Sequence, residues 1–151
     1  MVTRDPVRVY LDSVLEARVE SNRLRRKLEL LEARALNITS QLTGMPRAGS
    51  SDRDAVLAAL ADAARDYYQK LAAAERKELE VVEFIDSLPT MESRMILKLK
   101  YVDRKKWKQV LSSLTAAGLG MSERRMFQLH GAALNEAREQ FMKKENNNDQ
   151  S

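Results

Sequence analysis

The sequence predicts an all-α protein: a long N-terminal helical hairpin or coiled coil, followed by a C-terminal three-helix, helix-turn-helix domain. Three observations predict it. The composition is helix-forming, with 44% hydrophobic and 32% charged residues, 5% aromatics, five glycines and three prolines in 151 residues. Apolar residues in residues 7–42 and 57–88 recur in steps of three and four. Three shorter periodic segments follow, the last two joined by a glycine-containing turn.

The first helix places Val7, Tyr10, Val14, Ala17, Ser21, Leu24, Leu28, Leu31, Ala35, Ile38 and Leu42 on one seam. That spacing keeps one stripe facing a partner helix. Arg23, Arg25, Arg26, Glu29 and Glu32 lie between the seam positions, as a solvated face requires. "TGMPRAGSS", residues 43–51, interrupts the pattern. Gly44 can close the helix, Pro46 cannot continue it, and Gly49 with two serines makes a turn. Ser51 with Asp54 is a capping-box variant that restarts it.

The second seam is Leu57, Leu60, Ala64, Tyr67, Leu71, Ala74, Glu78, Val81, Ile85 and Leu88. Neither long helix can bury its stripe alone. A short linker favours an antiparallel hairpin; the alternative is a parallel dimer in which each stripe meets its copy. Pro89 ends this helix because it restricts the residue before it. A third helix is expected over 90–101, a fourth over 104–114 capped by Asp103, and a fifth over 123–142 capped by Ser122. "KENNNDQS" closes the chain with nothing to bury and is expected to be disordered. The expected organisation is therefore 1–88 for oligomerisation or partner binding, 89–142 for DNA binding, and 143–151 as a tail.

Charge is unevenly spread. The net formal charge is +4, yet residues 94–130 carry nine basic side chains against only Asp103 and Glu123. A strongly basic helical module points to a polyanionic partner. There is no cysteine, so thiolate metal sites and disulfides are excluded. His130 is the only histidine, and a triad or metal site needs partners that the chain does not supply, so a helix-packing or DNA-backbone role is expected for it. "GMPRAGSS" lacks the lysine of a phosphate-binding loop. No enzyme activity, metal or cofactor is expected. No apolar run is long enough to span a membrane and the start has no signal-peptide core, so a cytoplasmic location is expected.

On the fifth helix, Met126, Leu129, Ala133, Ala137 and Phe141 form the face expected to be buried. The opposite face carries Ser122, Glu123, Arg124, Phe127, Gln128 and Gly131. Arginine pairs with guanine, glutamine with adenine, glutamate with cytosine, and phenylalanine can touch a thymine methyl. Gly131 lets a backbone come close. Arg104, Lys105, Lys106 and Lys108, placed at the start of the fourth helix, are suited to phosphates. Trp107 is expected in the small domain's core. Double-stranded DNA is the partner these residues suggest, with a homodimer through the N-terminal helices matching two-fold sites. A solvated face on a structural coiled-coil adaptor, or a phage terminase small subunit recognising DNA for packaging, are the competing readings.

The stretches "SLPTMESRMILKLKY", "WKQVLSSL" and "MSERRMFQLHGAAL" resemble region 4 of the sigma-70 family. Leu88-Pro89, Glu92, Leu97, Tyr101, Trp107, Val110, Ser122, Met126, Gln128, Leu129 and Ala133-Leu134 fall on its pattern. The "KYVD…W" segment and the "LHGAAL" run are also similar to small phage regulators of the RinA/ArpU type, over about residues 85–137. The resemblance implies a phage or prophage late-gene activator that binds DNA and touches RNA polymerase. It implies base contacts at Glu123, Arg124 and Gln128, and phosphate contacts at Ser122, Arg125 and Phe127. Two departures stand out: a phenylalanine at a phosphate position, and a lengthened turn, "SLTAAGLGM". The N-terminal half offers only Tyr10, Tyr67, Tyr68 and Phe84 as aromatics, too few for a promoter-opening region, so the resemblance implies an activator rather than a complete sigma factor.

Overall fold

The computed structural model describes residues 5–42 and 50–149, with the side chains of 5–40 and 52–149. Every described element is helical: α1 (Pro6–Leu42), α2 (Ser50–Asp86), α3 (Met91–Leu97) running on into a π-helical turn (Lys98–Val102), α4 (Trp107–Ala116) and α5 (Glu123–Asp149). Gly44, Pro46 and Gly49, and the Ser51 side chain expected to cap α2, lie outside the described residues. No helix among the described residues is long and apolar enough to cross a membrane.

The chain forms two compact units. One is Ala17–Arg76; the other joins Met1–Glu16 to Lys77–Ser151. The unit that holds the short helices therefore takes in the first turns of α1 and the last turns of α2. Its boundary falls inside both long helices rather than at Pro89.

Within Ala17–Arg76, α1 and α2 run antiparallel. The Arg25 guanidinium meets Glu75 at 2.5 Å, and the Tyr68 hydroxyl donates to Glu32 at 2.7 Å. Numbers rise along one helix as they fall along the other. Ala17, Ser21, Leu24 and Leu28 are buried on the seam. Beyond Leu28 the seam positions Leu31, Ala35 and Ile38 are half-buried, as are Leu57, Leu60, Ala64, Tyr67, Leu71 and Ala74 of α2. Two helices alone cover each other on one side only, which limits how dry their seam becomes.

In the other unit, Val7, Leu11 and Val14 of α1 join Val81, Phe84, Ile85 and Leu88 of α2 in one core with Ile96, Leu97, Val110, Leu114, Met126, Ala133, Leu134 and Ala137. Leu11 and Phe84 lie off the sequence-derived seams. They are buried because α1 and α2 meet more than each other here. The rings of Tyr10, Phe84 and Phe141, from three helices, cluster with centroids 5.1–6.3 Å apart. Arg138 of α5 ion-pairs with Asp5 at 2.5 Å, and its hydrogen bond holds the Asp5 carboxyl below the usual range.

The third helix starts close to its expected position, but its first turn is closed from a distance. The Thr90 side chain makes no cap bond. The Glu136 carboxylate of α5 instead accepts from the Thr90 N–H and the Ser93 hydroxyl, each at 2.9 Å. At its far end the ladder widens: the Asp103 N–H bonds the Lys98 carbonyl at 2.8 Å, five residues back. Arg104 then turns left-handed, with φ 55°, and the Lys105 N–H reaches the Leu99 carbonyl at 3.1 Å. That is a helix-ending motif of the kind glycine usually serves.

Two expectations change here. Residues 103–106 close the preceding helix, so α4 begins at Trp107 and not at Arg104. Lys106, not Asp103, is its N-cap residue, and the Gln109 carboxamide accepts the Lys106 backbone N–H at 3.0 Å. The second change is at the C-terminus. The polar tail expected from 143 is helical through Asp149 as a continuation of α5. Lys144 anchors it, with its ammonium 3.4 Å from Glu80 and over the Tyr10 ring.

Candidate nucleic-acid interface

The first turn of α5 is set by Ser122. Its hydroxyl accepts the Arg125 N–H at 3.1 Å and its carbonyl accepts the Met126 N–H at 3.0 Å. This is the N-cap expected from the sequence. Glu123 in the first turn suits the positive end of the helix dipole.

From there the helix divides into two faces. Met126, His130, Ala133, Leu134 and Ala137 are buried, and Leu129 and Phe141 pack partly against the core. Ser122, Glu123, Arg124, Arg125, Phe127, Gln128 and Gly131 are exposed. Neither Arg124 nor Gln128 has a hydrogen-bond or ion-pair partner among the described residues. At Gly131 an added Cβ would meet nothing within 4 Å. The exposed face is open and, apart from the Ser122 cap, its long polar side chains Arg124 and Gln128 are uncommitted.

The basic residues before and within α4 separate into two pairs. Arg104 sits in the left-handed turn and ion-pairs with Asp12 of α1 at 2.9 Å. The Lys105 ammonium donates to the Ser113 hydroxyl at 2.9 Å. Lys106 and Lys108 are exposed and form no ion pair among the described residues. The four cations are thus not equivalent: two hold the protein's own structure and two face outwards.

Trp107 links α4 to α5. Its ring makes edge contacts with Phe127 (centroids 5.0 Å apart) and His130 (4.8 Å), and the Lys100 ammonium lies over it at 4.5 Å. Lys106 and Lys108 flank Trp107 in sequence, so this contact brings their backbone to the Phe127 side of α5.

Of the two roles expected for His130, the structure gives it the helix-packing one. It is buried, its Nε2 is 3.0 Å from the Tyr101 hydroxyl, and the two rings stack with centroids 5.8 Å apart. Burial, then the positive charges of Arg8 and Lys100, pull its pKa down to about 4. The imidazole is neutral at physiological pH and is a core hydrogen-bonding group. Burial pushes the Tyr101 hydroxyl up, so it stays protonated. Only the helical period could have placed His130 inward: it stands four residues after Met126 and three before Ala133. Among the described residues, no three His, Asp or Glu side chains converge as a metal site would require.

A family sequence model, described as a protein of unknown function (DUF1492), matches residues 38–137. The chain belongs to the DUF1492 family. No curated protein and no solved structure matches it. The matched span of this DUF1492 protein takes in all of α2, α3 and α4 and runs along α5 to Ala137. It includes every residue of the exposed α5 face and all four cations around the start of α4. It leaves out Val7, Leu11 and Val14, which complete the core beneath them.

Proposed function

We propose that the chain is a sequence-specific double-stranded DNA-binding regulator of transcription and has no catalytic role. The observation that carries this is the open α5 face, with Arg124 and Gln128 exposed and unpartnered on a capped helix whose other face is buried. Long polar side chains that the fold leaves uncommitted are the groups that pair with base edges. Lys106 and Lys108 at the start of α4 would meet phosphates and contribute affinity without sequence information. Arg104 and Lys105, engaged with Asp12 and Ser113, contribute less.

The resemblance to sigma-70 region 4 and to phage regulators of the RinA/ArpU type supports the same reading. It extends it to a phage or prophage late-gene activator, working in the bacterial cytoplasm, with RNA polymerase as a second partner. The half-buried hairpin seam supports a homodimer through α1 and α2, as a two-fold operator would suit.

Selection of bound duplexes from a random pool by the purified chain tests the reading. A recurring motif, bound with an affinity that falls steeply as salt rises, is expected. Failure to enrich any sequence, with a flat salt response, overturns it in favour of a structural adaptor. Light scattering separates the remaining alternative, since a closed ring of many copies would mark a DNA-packaging protein.

A further inference from the structure

Phe127 is out of keeping with the face it occupies. It is 43% exposed, between Arg124 and Gln128, where a large apolar side chain gains nothing from water. It is also not free to fold away. Trp107 holds its ring edge-on, and Trp107 is itself fixed by His130 and by the Lys100 ammonium. The outcome is an apolar contact point on a polar helix face, packed edge-on against Trp107 and set one turn after Arg124.

We propose that Phe127 is a specificity-determining residue that reads the C5-methyl group of a pyrimidine beside the guanine contacted by Arg124. The inference rests on the duplex-binding reading above and names what that face selects. Three residues along a helix rise about 4.5 Å, nearer to one base step of about 3.4 Å than to two. In the major groove the only apolar group on a base edge is the C5-methyl of thymine. Methylated cytosine carries the same group at the same position. Phe127 therefore has one type of partner in the groove, and its fixed ring has little side-chain freedom left to lose on contact.

The preference lies in a single methyl, so it can be tested from the DNA side without altering the protein. A duplex selected by the chain is remade with each thymine replaced in turn by deoxyuridine, which removes only that methyl. One position, next to a required guanine, should lose about fourfold in affinity, the scale of one buried methyl. Cytosine at that position should bind more weakly, and 5-methylcytosine should restore binding. Phe127→Ala, checked for helical content, should bind the thymine and deoxyuridine duplexes equally. A selected motif without thymine, or a flat deoxyuridine series on a motif that is still sequence-specific, overturns the inference while leaving the regulator reading intact. Failure to select any motif overturns both.

Discussion

At the scale of single residues, His130 gives the chain a pH dependence whose sign can be worked out. Its folded pKa of about 4 lies below the ordinary 6.5, so between those values the unfolded chain binds more protons. The associated stability is complete above about pH 6.5 and is lost as pH falls towards 4. The slope should not exceed ~1.4 kcal/mol per pH unit. Urea unfolding at pH 7 and pH 5 measures it, and His130→Gln, which keeps a partner for Tyr101, should flatten it. Arg104 offers a second test. A left-handed residue without a Cβ is unstrained, so Arg104→Gly should be more stable than Arg104→Ala by about 1 kcal/mol. Both lose the exposed pair with Asp12, which therefore cancels in the comparison. On the proposed DNA face, Arg124→Ala should cost about 1–3 kcal/mol in binding and relax preference at one base pair, while Lys106→Ala should weaken all sequences alike. Competition binding against single-base operator variants distinguishes the two, and identical behaviour would mean that α5 does not read bases. The residue types on this face were legible because a helix shows every third or fourth side chain on one side. The fixing of Phe127 by Trp107 was not, since it depends on how two helices cross.

Among the elements, α3 depends on α5 for its start. Glu136 is held below the usual carboxylate range: burial pushes it up, but the bonds from Thr90 and Ser93 and the charge of Arg94 outweigh that. Glu136→Ala should destabilise the fold by about 1–2 kcal/mol, as losing a helix cap does, and chemical denaturation at neutral pH would show it. The cap was hidden in the sequence because the acceptor lies 46 positions from Thr90. Helix existence was legible throughout, from Val7 to Phe141, through apolar period alone. Helix ends were less so. Asp103 looked like a cap because it is a good one, but Arg104's left-handed turn assigns residues 103–106 to closing the previous helix. The tail after Lys143 is poor in apolar residues, yet Lys144 finds Glu80 and Tyr10 and the ladder continues. The long seams were read as two-helix interfaces. That holds in Ala17–Arg76, whereas Leu11 and Phe84 are buried by neighbours that no local period reveals.

For the molecule as a whole, the family span and the folding unit do not coincide. Residues 38–137 contain the exposed faces of α4 and α5 but not Val7, Leu11 and Val14, each no more than 1% exposed. Each such side chain contributes roughly 1.5–3 kcal/mol on burial. Their combined loss matches the whole stability of many domains. A fragment of residues 38–137 should therefore show no cooperative unfolding transition by circular dichroism, while the full chain shows one. Adding back residues 1–37 should restore it. The charge pattern pointed to a basic helical module around residues 94–130, but charge counts could not reveal that this module borrows its first core residues from α1. This stitching has a consequence for synthesis. Val7, Leu11 and Val14 leave the ribosome long before Met126, Ala133 and Leu134 are made, a delay on the order of ten seconds at ordinary elongation rates. Through that interval these three side chains wait without the α5 residues that bury them in the finished fold.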